Sequence, residues 1–125
     1  MSASNSLETT LLKTVLTANT YTGPSNVYVS LYSTAPTEST SGTELTGNGY
    51  SRQIGAFSVS NNIASTTGSV TFSATGNAWT VTALGLMDAS TSGNLLFYTP
   101  LATVQTVQAG ANLTFGSGNI TVTCD

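Results

Sequence analysis

Charge is what this sequence lacks most: 6% of its residues are charged, against about a quarter in ordinary soluble domains. Lys13 and Arg52 are its only cations, and the net charge is −3. Two cations cannot neutralise a row of phosphates, so nucleic acid and anionic membrane surfaces are poor partners. Histidine is absent, which removes the commonest general base, nucleophile activator and metal ligand. A single cysteine, Cys124, closes no internal disulfide. No apolar run approaches the roughly 18 residues needed to span a bilayer, and the N-terminus lacks the cationic and apolar regions of a secretory signal. The expectation is a soluble protein made in the cytoplasm.

What remains is hydroxyl chemistry and a foldable core. Ser and Thr supply roughly a third of the chain and 39% of residues are apolar, too hydrophobic a balance for disorder. The 125 residues suit a single domain, 1–125, that buries roughly two-thirds of the surface its unfolded form exposes. A helix is expected over about 5–18. Asn5 can cap it with Glu8 in reciprocal position, and Leu7, Leu11, Leu12, Val15 and Leu16 recur at helical period. Two readings of that stripe stand side by side: a helix lying against a sheet, or one that faces a partner.

From Val27 the period changes to two. In VYVSLYS, Val27, Val29 and Leu31 alternate with Tyr28, Ser30 and Tyr32, the pattern of a strand with one face in a core and both faces substantially covered. Strands are expected at 52–60, 63–66, 69–73, 79–87, 94–98, 103–107, 112–115 and 119–124, separated by Gly and Asn turns. Many short strands after one helix indicate an all-β fold, an antiparallel, jelly-roll-like β-sandwich over about 27–124. Residues 34–50 lack an obvious element, and a loop that long in a compact domain is usually functional or interfacial.

No constellation carries evident chemistry. None of the acids Glu8, Glu38, Glu44, Asp88 and Asp125 adjoins another; Glu38 and Glu44 share the long loop and are the nearest approach to a glycosidase-like pair. Gly42, Gly47 and Gly49 are followed by neither the lysine nor the helix of a phosphate cradle and read as turn residues. Asp88 to Asn94 reads as a hairpin turn, since one carboxylate makes a poor calcium site. We therefore expect no catalytic residues, no metal and no cofactor, and no enzyme. Glu44 and Arg52 flank a glycine turn that can bring them together, so they are expected to form a structural clasp. Phe57, Phe72, Phe97, Phe115 and Trp79 fall in strand patterns and belong to the core. Leu7, Leu11, Tyr28, Tyr32 and Tyr50 are the candidates for an interface.

The motifs also have a familiar order. Leu31-Tyr-Ser-Thr-Ala-Pro36, Gly42-Thr-Glu-Leu-Thr-Gly-Asn-Gly-Tyr-Ser-Arg52, Trp79-Thr-Val-Thr-Ala-Leu-Gly-Leu-Met-Asp-Ala89, then Gly93-Asn-Leu-Leu-Phe-Tyr98 and Leu101, resemble a family of small tailed-bacteriophage virion proteins described as head decoration or tail fibre proteins. The resemblance runs from about Leu7 to Thr123. It departs from the family at Met87, where an aromatic is common. It implies a non-enzymatic virion component. With no heptad helix or repetitive stem in the sequence, the expectation is a head decoration, or cement, protein that binds the major capsid protein or another virion protein. Copies are expected to associate, with a trimer favoured. The alternative is a tail or neck appendage that engages a host surface glycan or protein.

Overall fold

The computed structural model describes residues 1–124. Strand β1 (Ser2–Ala3) leads into helix α1 (Asn5–Leu16), and all later elements are strands: β2 (Val27–Thr34), β3 (Thr43–Glu44), β4 (Gln53–Gly55), β5 (Phe57–Ser60), β6 (Ile63–Thr66), β7 (Val70–Ser73), β8 (Trp79–Met87), β9 (Leu95–Val107), β10 (Asn112–Phe115) and β11 (Thr121–Thr123). One six-stranded antiparallel sheet has the order β1-β9-β8-β2-β3, with β4 also on β2. The opposing layer is split into a three-stranded sheet, β11-β6-β5, and a two-stranded ribbon, β10-β7.

The core lies between these layers. Val29 and Leu31 of β2 and Trp79, Val81, Leu84 and Leu86 of β8 meet Val70 and Phe72 of β7 and Val122 of β11, all buried. Alternation explains the arrangement: every second residue of a strand faces the same way, and in β7 the order is buried Val70, exposed Thr71, buried Phe72, exposed Ser73. Trp79 and Phe72 thus take the core positions their patterns predict, while Phe57, Phe97 and Phe115 pack at its margin.

Where the strands differ from expectation, the backbone gives the reason. The run 52–60 is two strands: β4 pairs with β2 in the large sheet, whereas β5 pairs with β6 in the opposing one. The chain crosses between layers beside Gly55, where a Cβ would stand 3.0 Å from the Val29 Cγ2 and 3.1 Å from the Phe57 ring. Any larger residue would need those side chains to give by a few tenths of an ångström, so glycine suits the close approach at this corner. Conversely, the two strands expected at 94–98 and 103–107 form one strand, β9, whose register on β8 shifts between the Val81–Gln105 and Ala83–Pro100 pairs. Pro100 stands beside that irregularity, the kind of site where a strand tolerates a residue with no N–H to donate.

Helix α1 also starts differently. Ser4, not Asn5, is its N-cap: the Ser4 Oγ accepts from the Leu7 N–H at 3.2 Å. The Ser4 N–H is itself bonded to the Leu96 carbonyl, so the cap is fixed by β9. Glu8 lies in the first helical turn, where its charge favours the helix dipole. The helix ends at Leu16, and Ala18 turns the chain with φ of 59°. Its relation to the body is the least expected feature of the fold. Leu7, Thr10 and Thr14 are half-buried on the side toward β9, while Leu11, Leu12, Val15 and Leu16 are 53, 59, 68 and 73% exposed. The helix lies on the sheet, as one of the two sequence readings has it, yet most of its apolar stripe points away.

Candidate functional site

The most highly organised polar cluster lies where two short strands share one neighbour. Strand β3 pairs with the end of β2 at Tyr32 and Thr34, and β4 pairs with its start at Val27 to Val29. Between them residues 45–52 leave the sheet and return. Glu44 is the last residue before this excursion and Arg52 the last before β4, so they stand at its neck. Arg52 closes the neck with a fork of two bonds, Nε to Glu44 Oε1 at 2.8 Å and Nη2 to Oε2 at 2.7 Å. Such parallel N–H···O pairs are the strongest form of the interaction. The side chains of Arg52 and Glu44 are 9% and 24% exposed, which places the pair between a surface bridge and a buried one.

Tyr50 completes the site. Its hydroxyl donates to Glu44 Oε1 at 2.6 Å and accepts from the Leu31 backbone N–H at 3.1 Å. Leu31 sits in β2 in the interval between the β3 and β4 pairings, so the phenol supplies an acceptor in place of a neighbouring strand. Below the hydroxyl, the Tyr50 ring stacks on Phe72 at a 6.2 Å centroid separation and meets Trp79 edge-on at 5.9 Å. The excursion is therefore bolted to the core by an aromatic and closed at the surface by an ion pair.

The remaining arm of Arg52 reaches a third segment. Nη1 donates to the Ala89 and Ser92 carbonyls at 2.8 and 2.7 Å, in the turn that joins β8 to β9. Asp88 opens that turn and accepts from the Asn94 backbone N–H at 2.6 Å and its side-chain amide at 3.0 Å. The segment is a hydrogen-bonded turn, in keeping with its sequence. On the other flank Gly49, at φ of 81°, passes so close to Thr75 that a Cβ would collide with it. The Asn48 carbonyl and side chain accept from the N–H groups of Thr75 and Asn77. The glycine turn thus packs against a second turn.

These contacts set the ionisation. Burial pushes the Glu44 carboxyl up, but hydrogen bonds from Arg52 and Tyr50, with the guanidinium's charge, outweigh it and hold the group below the usual carboxylate value. Tyr50 is driven far up by burial and by donating to Glu44. The backbone bond from Asn94 is the main cause of a lowered Asp88. Chemically, the arrangement holds Glu44 charged with Oε1 engaged by two donors and Oε2 by one, which suits cohesion. Glu38 is exposed on the 37–41 loop, where its backbone carbonyl accepts from the Asn5 amide at 2.8 Å. No cluster of three potential metal ligands occurs among the described residues.

The expected interface residues divide. Leu11 is exposed, and Leu7 and Tyr28 are half-buried. Tyr32 and Tyr50 are corrected: Tyr32 is 3% exposed with its hydroxyl 3.6 Å from the Met87 sulfur, and Tyr50 spends its ring and hydroxyl inside the domain. Alternation places Tyr32 on the face of β2 opposite Val29 and Leu31, and that face is covered too, in keeping with the expectation of two covered faces. What the sequence did not indicate is an apolar groove of about 340 Å³ between the large and the three-stranded sheets, lined by Val27, Phe57, Val59, Leu96, Phe97 and Val122, with Cys124 also in its wall. It is assembled from segments far apart in sequence, so no local pattern marks it.

The fold and this site define a β-sandwich whose central polar cluster is spent on its own loops, while some apolar surface, on α1 and in the groove, stays uncovered. Residues 2–123 match the family described as podophage GP4 fiber I protein gp80. The chain belongs to that family, and is by that membership a bacteriophage virion structural protein. A sequence search of curated proteins finds no match.

Proposed function

We propose that this protein is a non-enzymatic building unit of a virion fibre, the alternative in the sequence reading. The observation that carries this is the family match across residues 2–123, whose family is described by a fibre protein. The molecular surface fits the role. Few charges need desolvation when copies or partners associate, and the stripe on α1 offers apolar area for such contacts. In this reading the fibre unit joins other virion proteins at one end of the assembly and presents loops to the host surface, where a glycan or protein is the natural ligand class.

Deleting the gene from the phage tests the proposal. The expected particles lack fibres and adsorb poorly to cells, while their heads keep the genome under osmotic shock as well as wild-type heads do. The head-decoration reading requires the reverse: normal fibres and adsorption, with heads that burst or leak at lower temperature. That second outcome would replace the fibre proposal with the decoration one.

A further inference from the structure

We propose that Asn48 is a site of spontaneous covalent modification: it deamidates through the backbone nitrogen of Gly49, and the isoaspartate that results unfastens the glycine turn from its neighbour. The inference does not depend on where in the virion the protein sits.

Asn48 is the one asparagine followed by glycine; every other asparagine precedes a residue with a side chain. The difference matters because the reaction is an attack by the next residue's nitrogen on the asparagine side-chain carbon. A Cβ beside that nitrogen crowds the approach and restricts the chain, and glycine does neither. Both residues are exposed, so water and hydroxide reach them. Among the described residues nothing accepts from the Gly49 N–H or from the Asn48 Nδ2, which leaves the nucleophile and the leaving group free. The carbonyl between them is held: the Asn48 Oδ1 accepts from the Asn77 backbone N–H at 3.1 Å. A donor there faces the oxygen on which negative charge grows when the carbon is attacked.

The fold also explains why so labile a pair stands here. Gly47, Asn48 and Gly49 have φ of 69, 52 and 81° in succession, a region open to glycine and, among residues with side chains, favoured by asparagine. A Cβ at Gly49 would collide with Thr75. The turn that packs the excursion on residues 75–77 therefore calls for the dipeptide that decays.

Hydroxide takes the Gly49 N–H proton, the nitrogen bonds to the Asn48 Cγ, and the Cγ–Nδ2 bond breaks. The leaving nitrogen takes a proton from water and departs as ammonia, and a five-membered succinimide remains. Water then opens the ring. Cleavage between Cγ and the Gly49 nitrogen gives aspartate; cleavage between the Asn48 main-chain carbonyl carbon and that nitrogen gives isoaspartate. In sum a water enters and an ammonia leaves, with nothing oxidised or reduced. Aspartate keeps an acceptor for the Asn77 N–H and tolerates positive φ. Isoaspartate routes the chain through Cβ and Cγ, so the backbone gains a carbon, and the carbonyl that accepted from the Thr75 N–H at 3.0 Å becomes a free carboxylate off the main chain. Gly49 then loses its close pass by Thr75, and the turn comes away.

The test keeps the full chain at mildly alkaline pH and body temperature for weeks, folded and, in parallel, in denaturant. Samples are digested with pepsin, whose acid medium halts the reaction, and read by mass spectrometry; isoaspartate is counted by its methylation with an isoaspartyl methyltransferase. The expected result in the folded protein is a gain of a single dalton confined to the peptide with Asn48, isoaspartate in that peptide, and an isoaspartate fraction that unfolds at a lower temperature than freshly made Asn48→Asp protein of the same charge. Asn48 unchanged in the folded protein over the time in which the denatured chain converts would overturn the proposal, because the turn would then shield it. So would conversion of another asparagine first, aspartate without isoaspartate, or an isoaspartate fraction that unfolds together with Asn48→Asp.

Discussion

The excursion between β3 and β4 and helix α1 treat their valuable groups in opposite ways. The excursion holds the more buried cation of the chain, and each group in it is spent internally: Arg52 on Glu44, Ala89 and Ser92, and Tyr50 on Glu44, Leu31, Phe72 and Trp79. The helix does the reverse and leaves four apolar side chains in solvent. Polar residues turned inward and apolar ones turned outward is the inverse of the usual partition. The difference teaches that the two regions serve different levels of organisation. The clasp ties the domain's own segments together, whereas the stripe of the helix stays uncovered by the rest of the domain.

If so, substitutions in the two regions should differ in their effect on stability. The largest effect is expected at Arg52→Ala, which leaves Glu44 semi-buried without its cation and frees two turn carbonyls; unfolding should lose on the order of 3 kcal/mol, measured by chemical denaturation. Next comes Tyr50→Phe. It keeps the ring and removes the hydroxyl, so that the Leu31 N–H loses its acceptor and Glu44 a donor, at a cost of about 1–3 kcal/mol. A Tyr50→Phe protein as stable as wild type would show that water takes over both bonds.

The third effect is a pH dependence. Glu44 is held below its ordinary value of 4.5, so as pH falls past that point the unfolded chain takes up the proton before the folded one does. Stability from the clasp is therefore full above this value and is lost as pH drops through the lower folded value. Glu44→Gln should lower stability at neutral pH and flatten the slope of stability against pH below about 4.5. Asp88, also lowered, leaves a residual slope in that variant. A slope identical to wild type would mean that Glu44 is not tied to Arg52 in solution.

Smallest of all is the effect expected for Leu12→Ser/Leu16→Ser, within about 0.5 kcal/mol for each exposed position, measured by chemical denaturation. A large loss of subunit stability from these two changes would break the contrast, because it would place the leucines in the domain's own core.

Sequence reasoning reached the clasp because the chain has so few charges: with two cations and a glycine turn between Glu44 and Arg52, the pairing had few competitors. The strands of the core were readable for a similar reason, since alternation in VYVSLYS or VTFS maps directly onto a face. The misses come from tertiary context. The reading of VYVSLYS as covered on both faces holds, and the miss is Tyr32 as an interface candidate, because what covers its face comes from segments distant in sequence. A run such as 52–60 carries strand propensity throughout, while the change of layer at Gly55 depends on how near Val29 lies. Asn5 and Ser4 are both good caps, and the choice was made by the β9 carbonyls that hold Ser4. Helical period likewise marked the stripe on α1 without saying which way the sheet would turn it.

The most direct measurement of the central claim is a cryo-electron microscopy reconstruction of whole virions at a resolution that shows strands. The account predicts that the sandwich and its leading helix fit density in a fibre, with several copies in contact. Density for this domain on the capsid shell, and none in the fibres, would contradict it.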